Sequence, residues 1–132
     1  MSNRSNDLGR GYEYAWINAL RDALKPHRAV RIAENSSLVA NRRSWDLLAP
    51  EMHELFEISA AAALKTVLEL EPKLIEKAPD ELLLEFQQDQ AGVAGDVRDI
   101  VIKCNSEQWE IGFSVKHNHE AVKHNSLRTY GL

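Results

Sequence analysis

The spacing of apolar residues changes near Pro72, and this change constrains the fold more than any other feature of the chain. Before Pro72, apolar residues recur every three or four positions, which is typical of helices with one buried face. After it, they alternate with polar residues or form short β-branched runs, which is typical of strands. We therefore expect an α+β fold in which N-terminal helices pack on one face of a small, mostly antiparallel sheet.

A chain of 132 residues fits one domain with a modest core. We predict a single domain over residues 1–132, mainly helical in residues 31–80 and a three-stranded meander in residues 81–116.

Three helices are predicted in the first part of the chain. Residues 11–25 carry apolar side chains at helical spacing, and a proline follows them. Residues 28–33 fit either a short strand or an extended linker. Asn35 and the two serines after it offer capping groups for a helix over residues 38–48. A proline then opens a long helix over residues 50–70.

Three strands are predicted in the second part. Apolar and polar residues alternate in 82–86 and again in 109–115, and residues 99–104 form a β-branched run. The short connection at Asn105 and Ser106 predicts a hairpin between the last two strands. An antiparallel meander follows from this order.

The cysteine content and the N-terminus indicate a cytoplasmic protein. Cys104 is the only cysteine, so an intramolecular disulfide is impossible and a reducing compartment is favoured. Residues 1–10 are polar, and no later run is apolar enough to span a bilayer. We expect neither secretion nor membrane insertion.

The charge is unevenly distributed along the chain. The net charge is −4, yet residues 1–45 carry eight Lys or Arg against four acids, while residues 46–99 carry four against thirteen. Such an asymmetry permits a local anion-binding face in a mildly acidic protein. Solvated charge is the more ordinary explanation, so this observation alone does not indicate a nucleic-acid partner.

The most informative stretch is GDVRDIVIKCNSEQWEIGFSVKHNH, residues 95–119. It places Asp99 at the start of one strand and Lys116 at the end of the next. Strand alternation puts Ser114 and Lys116 on one face, and a hairpin would bring Asp99 close to Lys116. We therefore predict that the side chains of Asp99 and Lys116 converge.

An acid and a lysine in this arrangement suit phosphodiester hydrolysis. That reaction needs a hard cation, a carboxylate that holds it, and a group that orients the attacking water. Asp99 suits the second role and Lys116 the third. The alternative is that Asp99 merely begins a strand and that Lys116 is an edge charge that discourages aggregation.

The same stretch resembles the PD-(D/E)xK nucleases, in which an Asp at a strand start is followed, after a hairpin, by acid-x-Lys. More narrowly, GDVRDIVI followed by WEIGFSVKHNHEAVKH is similar to HaeIII-type restriction endonucleases, and the ENSS and SAAAALKTVLELEP segments extend the likeness over most of the chain. The resemblance implies a restriction-endonuclease-like core with Asp99 and Lys116 in its active site.

The chain departs from the nuclease pattern at Ser114, where most members of the superfamily have an acid. Some members with Ser at this place take the second acid from elsewhere. Glu13 is preferred as that metal ligand, because it shares a helical stripe with the apolar residues of the first helix and should face the core side. Glu34, Glu110 and Glu120 remain alternatives.

Asp96 is a second candidate for the first acid of the motif. Asp99 is favoured because it stands immediately before an apolar run, whereas strand alternation from Asp96 leads through Arg98 rather than Asp99. Asp96 then serves as a turn cap or as a supporting acid.

The residues after Lys116 suggest a phosphate-facing patch. His117, His119, Lys123 and Arg128 would contact the DNA backbone, with a solvated surface as the equal alternative. His117, Asn118 and His119 also spell HNH, but nucleases of that class spread these residues over a longer motif.

The resemblance implies a type II restriction endonuclease that hydrolyses double-stranded DNA with Mg²⁺ and recognises GGCC. It also implies a homodimer in full-length relatives and a partner DNA methyltransferase. HaeIII-type enzymes are longer than this chain and continue past His119, so we expect a chain shortened at its C-terminus. The alternatives are a noncatalytic DNA-binding or interaction remnant, and an unrelated α+β domain with incidental charges.

Overall fold

The computed structural model describes residues 4–87, 98–115 and 129–131. In these residues there are three α-helices, α1 (Arg4–Leu24), α2 (Ser36–Asp46) and α3 (Pro50–Leu70), and a short 3-10 helix (Pro72–Ile75) follows them. All three predicted helices are therefore present, and the chain leaves the α conformation at Pro72 as expected. Within the described residues, no helix combines the length and the apolar character needed to span a membrane.

The ends of the helices follow local chemistry. The side-chain oxygen of Asn35 accepts a hydrogen bond of 2.8 Å from the amide of Leu38, which satisfies one of the free donors at the start of α2. Pro50 occupies the first turn of α3, where a missing amide hydrogen costs nothing.

Helix α1 begins earlier than predicted because Gly11 does not break it. Gly11 is buried beside Leu48, and a Cβ atom at Gly11 would lie 2.6 Å from the Leu48 side chain. The glycine thus allows α1 to approach the segment that follows α2, a packing role that local propensity does not reveal.

Within the described part of the chain, five strands form one sheet: β1 (Val30–Ile32), β2 (Leu82–Phe86), β3 (Ile100–Cys104), β4 (Trp109–Ser114) and β5 (Thr129–Gly131). They lie side by side in chain order. The three predicted strands form the antiparallel meander β2–β3–β4, as expected. Parallel strands flank it on both sides, since β1 pairs with β2 and β5 pairs with β4.

The helices cover one face of this sheet, which confirms the predicted α+β arrangement. Alternate residues of the meander point into a core shared with α1 and α3. The largest members of that core are fully buried: Trp16, Ile17, Leu20 and Leu24 of α1, Val67 of α3, and Leu82, Leu84, Phe86, Ile100, Ile102 and Phe113 of the sheet. Helix α2 packs mainly against α1.

The opposite face of the meander is more polar and carries charges paired across strands. The Lys103 ammonium lies 2.7 Å from the Glu85 carboxylate, and the Arg98 guanidinium lies 2.5 Å from the Glu110 carboxylate. Val101 is fully buried on this face although it lies outside the core cluster. The sheet therefore has an apolar, helix-covered side and a charged side.

Candidate active site

Asp99, the predicted metal-holding acid, lies immediately before β3, at the strand start that the sequence pattern indicated. Its amide donates a hydrogen bond of 2.7 Å to the carbonyl of Phe113 in β4, and its carbonyl accepts one of 3.0 Å from the amide of Gln87 beside β2. The backbone of Asp99 is thus bonded to both neighbouring segments of the sheet. Because two elements hold it, the position of this half-buried residue is well defined.

The carboxylate of Asp99 also has a specific partner. Its Oδ2 atom accepts a hydrogen bond of 2.7 Å from the amide of Val115, the residue that follows β4. A hydrogen bond of this length to an ionised acceptor is among the stronger ones in proteins. The bond fixes the carboxylate beside the Ser114-Val115 end of β4.

Ser114 ends β4 and is buried, with 8% of its surface exposed. The pairing of Ile100 with Phe113 places Asp99 across from Ser114 when the register is continued by one residue. The structure therefore brings together the acid of the predicted motif and the residue two positions before Lys116.

The remaining residues of the predicted site lie outside the described part of the chain. They are Lys116, His117, His119, Lys123 and Arg128, together with the alternative acids Asp96 and Glu120. The expected convergence of Asp99 and Lys116 stays a prediction.

Glu13 is half-buried on α1, on the side that faces α2. Its Oε1 atom accepts a hydrogen bond of 3.1 Å from the side-chain amide of Asn41, which is itself buried. One turn further along α1, the Trp16 ring packs 6.2 Å from the Phe113 ring, centroid to centroid. Glu13 therefore belongs to the helix that packs near the Asp99 end of the sheet, with its carboxylate engaged at the α1–α2 interface.

The other described candidates for the second acid are less suitable in this geometry. Glu34 is exposed in the segment before α2. Glu110 is paired with Arg98 on the charged face of the sheet. A carboxylate that already compensates a guanidinium is a poorer ligand for a further cation, because the nearby positive charge opposes binding.

A different group of ligand atoms lies at the far end of β3. The side chains of Asp80, Cys104 and Glu107 approach one another within 4.8 Å. The guanidinium of Arg28 lies among them, 3.7 Å from the Cys104 sulfur and 4.0 Å from the Glu107 carboxylate. This buried cation already neutralises the cluster, so we assign it a structural role.

Among the described residues, the donors at the Asp99 end are oxygen atoms, and hard oxygen donors suit Mg²⁺ better than they suit softer metals. The carboxylate of Asp99 is held in place before any ion binds, since Val115 supplies its hydrogen bond. The Asp99 carboxylate is therefore a ligand of the kind that Mg²⁺ accepts.

The contact of the Arg98 side chain with Gly112 and Glu110 of β4, the strand next to Asp99, was not predicted from the sequence. The signal that would have revealed it is Gly112, a glycine in the middle of a strand, which often marks a close approach by another group.

Comparisons with known proteins identify a family of restriction endonucleases that the chain resembles over most of its length. The family model for the HaeIII restriction endonuclease matches residues 9–130. The chain is 43% identical over 127 residues to the type II restriction enzyme HaeIII of Haemophilus aegyptius, an alignment that covers 96% of this chain and 40% of that protein. The chain thus spans well under half the length of this relative. No solved structure matches it.

Proposed function

The chain belongs to the HaeIII restriction endonuclease family, and we propose that it acts as a type II site-specific deoxyribonuclease. The reaction is the Mg²⁺-dependent hydrolysis of phosphodiester bonds in double-stranded DNA, with GGCC as the recognised sequence. The single observation that carries the proposal is the carboxylate of Asp99, held by the Val115 amide at the end of β4.

Each residue of the motif has a role in this reaction. Asp99 holds the metal, and Glu13 is the proposed second ligand. When bound, Mg²⁺ supplies neutralisation of the charge that develops on the phosphate. Lys116 orients the attacking water and stabilises its hydroxide form, because a fixed positive charge favours the developing anion. Ser114 takes the position before x-Lys that is usually acidic.

DNA binding is assigned to the residues that follow the motif. We propose that His117, His119, Lys123 and Arg128 contact phosphates, which would fix the position of the DNA without reading its sequence. We further propose a cytoplasmic enzyme that pairs functionally with a DNA methyltransferase, and a homodimer for its full-length relatives.

A second candidate function is DNA binding or partner binding without cleavage. The observation in its favour is that the matched relative extends well beyond the 40% of its length that this chain covers. An assay of DNA cleavage distinguishes the two candidate functions.

The test uses the purified chain and two short DNA duplexes that differ only in GGCC against GCGC. We expect cleavage of the GGCC duplex with Mg²⁺ and none with EDTA. Asp99→Asn should slow cleavage by at least about a hundredfold, since it removes the charge that holds the metal. Lys116→Ala should reduce cleavage far more than it reduces DNA binding.

Glu107→Gln is the matched control, because it neutralises an acid at the far end of the same hairpin and should leave cleavage unchanged. Binding of both duplexes without cleavage in Mg²⁺ or Mn²⁺ would overturn the enzymatic proposal in favour of the second candidate. Equal cleavage by wild type and Asp99→Asn would remove Asp99 from the site.

A further inference from the structure

The side chain of Arg98 lies across β4 on the charged face of the sheet. Its Nη1 atom is 2.5 Å from Oε2 of Glu110, and only 21% of the Arg98 side chain is exposed. The methylene groups of Arg98 cover Gly112, so that a Cβ atom at Gly112 would overlap them. Arg98 therefore contacts β4 along its stem as well as at its charged end.

Gly112 is an unusual residue for its position. It lies in a central strand, paired with Val101 on one side and with Thr129 on the other. A glycine weakens such a strand, because it adds backbone entropy to the unfolded chain and offers no side chain to pack. Here it creates the space that the Arg98 stem occupies.

Arg98 is the residue immediately before Asp99, and the regular pairing of β3 with β4 ends at Ile100 and Phe113. The ends of paired strands open more readily than their centres, because fewer contacts hold them. Anchoring Arg98 to Glu110 ties the chain down on the outer side of Asp99. The hydrogen bond from Val115 to Asp99 then joins two segments that are both held.

We propose that Arg98, Glu110 and Gly112 form a positioning clamp that fixes the carboxylate of Asp99 on the Val115 amide. This inference rests on the proposed nuclease function for its consequence, the alignment of the metal-holding carboxylate. Glu110 has a second effect, since it compensates the charge of Arg98 and so reduces the repulsion between that guanidinium and a cation bound at Asp99.

A second ion pair on the same face provides a matched control. Lys103 and Glu85 are joined at 2.7 Å, with 33% and 27% of their side chains exposed, and they connect β3 to β2. The pair resembles Arg98 and Glu110 in chemistry and in burial. Lys103 lies four residues after Asp99 in the chain, and loss of the Lys103–Glu85 pair should not displace the Asp99 carboxylate.

The primary experiment measures hydrogen exchange of the Val115 amide by NMR in the full chain without metal. Arg98→Met removes the charge but keeps most of the stem, and Gly112→Ala displaces the stem. Each should raise the exchange rate of Val115 by about tenfold, because the amide opens more often when the clamp is lost. Asp99→Ala removes the acceptor and sets the upper limit, whereas Lys103→Met should leave the rate at its wild-type value.

Rescue separates positioning from general stability. Arg98→Lys keeps a cation on a long stem and should restore most of the Val115 protection. Global stability, measured by urea denaturation of each variant, provides the reference. Arg98→Met and Lys103→Met should lower the free energy of unfolding by similar amounts, yet only Arg98→Met should change the amide exchange rate of Val115.

The second readout is cleavage of the GGCC duplex. Arg98→Met and Gly112→Ala should lower kcat by about ten- to a hundredfold with little change in the KM for DNA, as expected when a reacting group is misplaced. Unchanged Val115 exchange in both variants would overturn the clamp whatever the activity. Faster exchange in a protein whose wild type does not cleave would leave the clamp standing and contradict the nuclease function instead.

Discussion

The two ends of the β3–β4 hairpin both carry acidic side chains, yet these acids have different partners. At the open end, Asp99 accepts a hydrogen bond from the backbone amide of Val115. At the closed end, Glu107 accepts hydrogen bonds from the indole of Trp109 at 3.2 Å and from the thiol of Cys104 at 3.4 Å, with the Arg28 guanidinium nearby. Among the described residues, the closed end has the larger group of metal-ligand atoms, but the Arg28 guanidinium already compensates its negative charge.

The buried Arg28 explains this difference. Only 1% of its side chain is exposed, and its Nε atom donates a hydrogen bond of 3.0 Å to the carbonyl of Asp80. A buried guanidinium is stable only where acceptors surround it, so the acidic groups near Cys104 complete its environment. The proximity of several acids is therefore weak evidence for a metal site when a cation lies among them.

The largest effect is expected at the closed end, in stability. Arg28→Met should lower the free energy of unfolding by roughly 2–3 kcal/mol, because it breaks a buried hydrogen-bond network. Urea denaturation measures this loss. Arg21→Met is the control, since Arg21 forms an exposed pair with Asp22, and it should change stability by less than about 0.5 kcal/mol. A loss as small for Arg28→Met as for the control would contradict the structural role of the closed end.

An intermediate effect is expected from metal binding at the open end. At a Mg²⁺ or Mn²⁺ concentration ten times the Kd, the wild type should gain about 1.4 kcal/mol of stability, which is RT ln 11. Thermal denaturation with and without the ion detects this gain as a rise in Tm. Asp99→Asn should lose the gain, and Glu107→Gln should keep it. The reverse pattern would assign the metal site to the closed end of the hairpin and the structural role to the open end.

The smallest effect is expected in the pH dependence of stability. The pKa of Glu107 lies below its ordinary value of 4.5, chiefly because the Trp109 indole donates to it, followed by the Cys104 thiol and the charges of Arg28 and Lys73. A carboxyl whose pKa is lower in the folded state contributes stability above pH 4.5, and that contribution is lost as the pH falls through the folded-state pKa.

Urea midpoints measured between neutral pH and the acid limb should therefore show a steeper loss for the wild type than for Glu107→Gln. The difference should be small, since the Glu107 side chain is half exposed and solvent screens its interactions. Parallel curves for the two proteins would show that Glu107 is not bonded in this way.

The predictable parts of the fold were those specified by local pattern. Pro50 and Pro72 bracket a helical run, and α3 spans the predicted residues 50–70. The alternation in 82–86 and 109–115 predicted β2 and β4 well. The two flanking strands, β1 and β5, were harder to predict from the sequence. Each has only three residues, and each pairs with a strand that lies many residues away in the chain. For residues 28–33 the sequence fitted either a strand or an extended linker, and a strand at 129–131 was not predicted.

The amino-acid sequence by itself determined the order of the three helices and of the three meander strands, the hairpin that carries the motif, and Asp99 as the candidate metal-holding acid. Spacing and turn residues act over a few positions, so these features can be recognised locally. Only the tertiary structure decided what each acid contacts: Val115 for Asp99, Asn41 for Glu13, Arg98 for Glu110 and Arg28 near Glu107. The physical reason is that most of these contacts join residues far apart in the chain. Periodicity along a strand or helix carries no information about which residue of another element will lie opposite.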